Sequence, residues 1–262
     1  MASPLNFARR YGAWALIAGA SDGLGAAFAH ALAARGLKLV IIARRENLLE
    51  ELAAELRSAH GVEVRTLALD LATPDLRERL ANVCADIEVG LAIHNAAFAP
   101  VGAVLERELD DLLKAVDVNV RAPLTLVHAL APAMVARGRG GILLMSSLAG
   151  LQGSPRLATY AGTKAFNNIF GEALWHELRD GGVDVEVCCA GAIRTPGFAA
   201  ASTKDAPGTL DAEVVAQRAL DSMARGPVLV PGFVNRIASL FLGLLPRRWA
   251  VAIMAKNTKD LS

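Results

Sequence analysis

Two short segments carry the residues best suited to acid–base chemistry. Ser146-Ser147-Leu148-Ala149-Gly150 is followed by Tyr160-Ala161-Gly162-Thr163-Lys164. Tyrosine and lysine at i and i+4 share one helix face. A phenol ordinarily titrates near 10 and exchanges protons poorly at neutral pH. A neighbouring ammonium favours the phenolate and lowers that value. Ser147 lies thirteen residues before Tyr160, just past an apolar run, so its hydroxyl can reach the same substrate oxygen. Taken alone, a Tyr–Lys pair at this spacing is also an ordinary pair on a helix surface. What argues for chemistry is the serine pair together with a second motif upstream.

That motif is Gly19-Ala20-Ser21-Asp22-Gly23-Leu24-Gly25, a GxxxGxG spacing between an apolar run and a helical stretch from Ala26 to Arg35. Glycines permit a tight turn and close approach of backbone to a pyrophosphate. The following helix supplies unpaired N–H groups and a positive dipole end. Gly19, Ser21, Gly23, Leu24 and Gly25 are therefore candidate dinucleotide contacts. An NAD site usually carries an acid at the end of the second strand. Here Ala43 is followed by Arg44 and Arg45. Alanine leaves room, and an arginine fork suits a 2′-phosphate, so the cofactor reads as NADP(H). Asp22 argues the other way, whereas Ser21 offers the phosphate a hydroxyl. Asp70-Leu71 and Asn95-Ala96-Ala97 follow the third and fourth apolar runs, where open α/β sheets bind ligands. Either could equally be turn chemistry or a helix cap.

The elements that must position these residues follow from the hydrophobic pattern. Apolar runs at Ala13–Ala18, Lys38–Ala43, Val62–Leu69, Val89–His94, Gly141–Met145, Val183–Cys189 and Val228–Val230 alternate with stretches of helical spacing. Near-continuous apolar runs suit strands buried on both faces. The pattern predicts a Rossmann-type, doubly wound α/β fold: a seven-stranded parallel sheet with helices on both faces. The 262 residues read as one domain, with residues 233–262 as a C-terminal apolar helical extension. The stretch Thr195–Thr209 lacks periodicity and reads as a mobile loop.

Net charge is +1, which gives no global case for nucleic acid. Three cysteines without CxxC spacing suggest neither a disulfide framework nor zinc, so no metal and a cytoplasmic setting are expected. Arg9 and Arg10 before the apolar run Tyr11–Ala20 look like a short signal peptide, but the run leads directly into the glycine motif, which favours a first strand. No uninterrupted apolar stretch of about 18 residues exists, so no transmembrane helix is expected.

These motifs together resemble the short-chain dehydrogenase/reductase family over roughly residues 10 to 232. The matching positions are Gly19–Gly25, Asp70, Asn95-Ala96-Ala97, Asn119, Ser147, Tyr160 with Lys164, and Ala190–Thr195. The resemblance implies that Tyr160 is the general acid in reduction and the base in oxidation. It implies that Lys164 holds the nicotinamide ribose and depresses the tyrosine, and that Ser147 polarises a carbonyl. Asn119 would anchor a relay water, Ile193 and Thr195 would meet the nicotinamide carboxamide, and Asp70 the adenine. A homodimer or homotetramer is implied, partly through the helix that bears Tyr160. The expected reaction is reduction of a ketone or aldehyde on an apolar, steroid-like or long-chain acyl-like substrate, reversibly. The alternatives are a catalytically silent NADP-binding regulator and an epimerase or dehydratase on a related fold. Two positions depart from the family pattern. Ala97 stands where glycine is usual, and Ala190-Gly191 where Pro-Gly is usual; the first predicts altered turn geometry, the second a looser loop.

The C-terminal segment Phe233–Lys256 reads FVNRIASLFLGLLPRRWAVAIMAK. Its apolar run is too short to span a bilayer. Two expectations stand side by side: a helix pair packed on the domain or on a partner subunit, and an apolar lid that also makes peripheral membrane contact.

Overall fold

The computed structural model describes residues 4–196 and 205–259. Helix α1 (Pro4–Tyr11) precedes β1 (Trp14–Ala18), and α2 (Gly23–Ala33) leads to β2 (Lys38–Ala43). Then come α3 (Glu46–His60), β3 (Val64–Ala68), α4 (Leu76–Val83) and β4 (Val89–His94). Helices α5 (Leu109–Val116) and α6 (Ala122–Ala136) are joined by a π-helical turn, Asp117–Arg121. Next are β5 (Gly140–Ser147), α7 (Ala158–Leu178), β6 (Val183–Ala190), β7 (Ile193–Arg194) and β8 (Leu210–Asp211). The chain closes with α8 (Ala212–Ser222), β9 (Val228–Leu229), α9 (Phe233–Leu244) and α10 (Arg247–Asn257).

The sheet order is β3-β2-β1-β4-β5-β6-β9, parallel throughout. This is the seven-stranded, doubly wound arrangement that the apolar runs predict. Strand β1 shows why those runs are continuous. Ala15 and Ile17 enter the core beneath α2 and α3, while Trp14, Leu16 and Ala18 enter the core on the opposite face. With both faces covered, apolar residues are favoured at every position of the strand. The strand order reverses between β1 and β4, which opens a crevice at their carboxyl ends.

Two elements differ from the sequence expectation. Tyr11 belongs to α1, not to the first strand: its hydroxyl donates to Asp184 at 2.8 Å, and Arg10 grips the same carboxylate at 2.5 and 2.7 Å. The pair β7–β8 was not expected, because two-residue strands are held by backbone pairing alone and leave no side-chain period. Most of Thr195–Thr209, expected to be a mobile loop, lies outside the described residues. The continuous helix 109–136 is long and apolar enough by length and composition to cross a bilayer. Its buried side, with Leu126, Val127, Leu130 and Met134, packs on the sheet.

Candidate active site

Two cavities open along the carboxyl edge of the sheet. The smaller, about 230 Å³, lies over β1, β2 and β3 and is bordered by Gly19, Ser21, Arg44, Arg45, Asp70 and Leu71, with Ala96 and Lys114 on its far wall. The larger, about 500 Å³, lies over β5 and β6 and is bordered by Ser147, Tyr160, Lys164, Ile193 and Thr195, with Gly23 and Leu24 at its inner edge. Asp22, Asn95 and Ala97 border both, so the two are halves of one cleft.

The glycine turn joins these halves. Gly19 sits at φ +88°, and a Cβ there would lie 2.5 Å from the Ala96 nitrogen. A Cβ on Gly25 would lie 1.9 Å from the Gly19 carbonyl, so glycine is what lets α2 start directly against the turn. Asn95 Nδ2 donates to the Gly19 carbonyl at 2.7 Å and locks the turns after β1 and β4 together. The result is an elongated cradle with bare backbone at its centre and the start of α2 facing it, which fits a dinucleotide.

At the smaller end the two arginines differ. Arg45 Nη2 reaches Asp22 at 3.2 Å and the Ser21 hydroxyl at 3.3 Å. Arg44 makes no hydrogen bond or ion pair among the described residues, and its side chain is exposed at the cavity rim. The Asp22 carboxylate, which argued against a phosphate, is thus neutralised within the protein. Asp70 accepts from the Ala72 N–H at 3.0 Å and from Lys114 Nζ at 3.1 Å. Burial pushes its carboxyl up, but the Ala72 N–H, Lys114 and Arg44 outweigh that and leave it below the usual range. Lys114 was not foreseen, because no motif marks a lysine brought in from a different helix.

At the larger end, α7 carries Tyr160 and Lys164 one turn apart, facing Ser147 at the end of β5. The Ser147 oxygen accepts from the Ala149 N–H at 3.2 Å, which fixes its rotamer at the head of a short 3₁₀ turn. Ser146 points the other way and donates to the Lys164 carbonyl at 2.9 Å, pinning α7 to the strand. Lys164 is buried, and its Nζ donates to the Met145 carbonyl at 2.7 Å, 5.7 Å from the Tyr160 ring centroid. Burial lowers the Lys164 ammonium to about 8. The expected depression of the tyrosine is not found in this arrangement. Desolvation raises the Tyr160 phenol, and hydrogen bonding with Ser147 only partly offsets it. Lys164 Nζ directs this hydrogen bond at the Met145 carbonyl rather than at the phenol oxygen.

Asn119 sits in the π-helical turn, fully buried. Its Oδ1 accepts from the Phe98 N–H at 2.8 Å, and its Nδ2 donates to the Phe98 carbonyl at 2.8 Å and to Thr163 Oγ1 at 3.0 Å. The side chain therefore ties the segment after β4 to α7, and its bonding capacity is largely used. His94, at the end of β4, is buried, and burial with the nearby Lys164 charge pushes it down to about 3, so its ring is neutral. Neither Phe98 nor Thr163 could be found from spacing, since both act through tertiary contact.

The two departures resolve differently from expectation. Among the described residues the only non-glycine at positive φ is Arg156, so Ala97 adopts an ordinary backbone and the turn there carries no strain. Gly191 is packed tightly: a Cβ there would lie 2.8 Å from Asn235 Oδ1 of α9. Among the described residues, no group of three or more His, Cys, Asp or Glu side chains is placed to hold a metal.

Comparison with known proteins agrees with this geometry. The chain is 38% identical over 196 residues to a very-long-chain 3-oxoacyl-CoA reductase of Neurospora crassa, covering 71% of this chain and 59% of that one. It thus spans less than two thirds of the length of that relative. A structure described by its 7beta-hydroxysteroid dehydrogenase stereoselectivity superposes with a TM-score of 0.88 at 27% identity, covering 95% of this chain and 98% of the other. A short-chain dehydrogenase from Sphingobium yanoikuyae in complex with NADPH superposes with a TM-score of 0.77 at 30% identity, covering 87% and 92%. The short chain dehydrogenase family model matches residues 13–206, and with the cradle, the strand order and the Ser147–Tyr160–Lys164 cluster in place, the chain belongs to the short-chain dehydrogenase/reductase family.

Proposed function

We propose that this chain is an NADP(H)-dependent oxidoreductase that reduces a ketone or aldehyde on a bulky apolar substrate, reversibly. The observation that carries the reading is the convergence of the Ser147 hydroxyl and the Tyr160 phenol on one 500 Å³ cavity, with Lys164 one helical turn behind. When bound, the nicotinamide supplies the hydride. The protein's own part is to hold a carbonyl oxygen and a proton. Ser147 donates a hydrogen bond to that oxygen, and the raised phenol keeps Tyr160 protonated until it gives its proton at Oη. Lys164 lies beneath Tyr160, where its charge favours the phenolate as it forms. Ile193 and Thr195 close the nicotinamide side, and Asn119 positions α7 against the segment after β4. Arg44, exposed at the adenosine end, would bind the 2′-phosphate, with Arg45 and Ser21 beside it.

Two relatives support a bulky apolar substrate by their names, one a very-long-chain 3-oxoacyl-CoA reductase and one a 7beta-hydroxysteroid dehydrogenase. The wall of Met145, Ala149, Leu157 and Ile193 suits such a substrate. Exposed Leu109, Leu113, Val116, Leu124 and Ile169 on α5, α6 and α7 favour a homodimer or homotetramer. The test is Tyr160→Phe against a panel of bulky ketones, with NADPH loss read by absorbance. The expected result is a fall in turnover on the order of 10²- to 10⁴-fold with NADPH binding retained. Turnover above half the wild-type rate would refute the assignment.

A further inference from the structure

Helix α9 leaves one side without cover. Phe233, Val234, Ile237, Leu240, Phe241 and Leu244 are all exposed, Leu244 at 86% and Phe233 at 77%. At 3.6 residues per turn these six fall within an arc of about 120°. The opposite side carries Asn235, 3% exposed, which donates to the Gly208 carbonyl at 3.0 Å and to the Pro231 carbonyl at 2.9 Å. The helix is therefore anchored by its polar side and presents its apolar side outward, the reverse of a helix packed on its own core. After Pro246 the chain turns into α10, which is held by Arg247 Nη1 to the Leu151 carbonyl at 2.8 Å and by buried Ala250. Trp249 at its start is 56% exposed.

The charges that this C-terminal segment itself carries are of one sign. Between residues 228 and 259 stand Arg236, Arg247, Arg248, Lys256 and Lys259, and no acid, in a chain of net charge +1. Glu172 of α7 borders the groove beside Arg247 and Val251, and Asp205 and Asp211, on either side of the Gly208 that Asn235 holds, are both paired with Arg194. A two-fold contact with a second copy would set this patch against itself and bring like charges together. An anionic surface would not.

We propose that the exposed face of α9, with the basic residues around it and Trp249, docks on an anionic lipid bilayer. Twelve residues of helix measure about 18 Å, against about 30 Å of hydrocarbon, so α9 lies in the interface and does not cross it. Its apolar arc enters the acyl boundary, Trp249 sits at headgroup depth, and the arginines and lysines meet the lipid phosphates. Each basic residue near an anionic surface is worth about fivefold in partitioning. Because Asn235 packs on Gly191, which borders the larger cavity, α9 lies beside the cleft with its anchored side toward it and its docked face turned outward.

The experiment is flotation of the full chain with vesicles of phosphatidylcholine alone and of phosphatidylcholine with phosphatidylglycerol. The wild type is expected to float with the mixed vesicles and to bind pure phosphatidylcholine at least about tenfold more weakly. Ile237→Glu with Phe241→Glu, both at exposed positions, should abolish flotation while leaving the melting temperature and the gel-filtration volume unchanged. Arg248→Glu with Lys256→Glu reverses two charges without touching the arc, and should lose binding to the mixed vesicles by a further tenfold or more. Wild type that stays in solution with both vesicles overturns the proposal. So does undiminished flotation of the two variants, and so does a fall in oligomer size for Ile237→Glu with Phe241→Glu, which would assign the face to a second copy.

Discussion

Cofactor choice can be worked from the unequal environments of Arg44 and Arg45. Arg45 is held by Asp22 at 3.2 Å and Ser21 at 3.3 Å, whereas Arg44 reaches the same cavity unpaired among the described residues. If a 2′-phosphate sits there, Arg44 makes a new charge-assisted hydrogen bond, worth about 1.5–3 kcal/mol or roughly 10- to 150-fold. Its exposure places the expectation toward the lower end, because solvent screens the contact. Arg45 contributes mainly by neutralising Asp22. That pair is itself largely exposed, and such pairs are worth about 0.2–1 kcal/mol, at most roughly fivefold. Arg44→Ala should therefore lower kcat/KM for NADPH by about tenfold or more and leave NADH nearly unchanged. Arg45→Ala should lower NADPH use less, and Asp22→Asn in that background should recover most of the loss. The assay is initial rates with both cofactors on one ketone. Equal losses on NADPH and NADH for Arg44→Ala would refute the reasoning, as would a larger effect from Arg45→Ala.

Two further outcomes rest on buried titrating groups. Lys164 is lowered by burial to about 8, so its ammonium is present below that pH and lost above it; kcat for ketone reduction should fall with rising pH from about 8, and a profile flat to pH 10 would count against a role for its charge. Glu186, buried in β6, is raised from 4.5 to about 8 by burial, with partial relief from the Ser222 hydroxyl at 2.9 Å and from Arg225. Its native state binds the extra proton, so its contribution to stability is intact below pH 4.5 and is lost as pH rises toward 8. Glu186→Gln should then stabilise the protein by at most about 3 kcal/mol at pH 7, and by little at pH 4.5, in denaturant melts at the two values. An equal gain at both would show that packing, not ionisation, is the cause.

The sequence expressed most clearly what a single local rule controls. Strands β1, β2 and β4 begin or end within a residue of the apolar runs, because both faces of each are buried. The GxxxGxG turn and the Tyr160–Lys164 spacing were legible because backbone crowding and helix periodicity leave few alternatives. What escaped depends on residues distant in sequence. Helix α1 hid behind an apolar run, and it is Asp184 of β6 that holds the Tyr11 hydroxyl in place there. The pairing of Arg45 with Asp22 needed the fold, since the two lie on different turns. So did the Lys164 bond to the Met145 carbonyl and the burial of Tyr160, the second of which reverses the expected direction of its shift.

Gly191 shows how one such distant contact changes the meaning of a motif. Read alone, glycine without its usual proline neighbour predicts a looser loop beside the nicotinamide. In the fold, Gly191 is a point where α9 packs against the edge of the cleft, and Asn235 fills the space that a side chain would take. The same Asn235 bonds the carbonyl of Gly208, at the far end of the stretch that begins at Thr195. Three segments therefore meet at one buried amide: the turn after β6, the return into β8, and the start of α9. A side chain at position 191 would have to displace Asn235 and with it the helix. Loss of the proline is thus compatible with a tightly fixed turn, because the constraint has moved from the ring of a proline to the packing of α9.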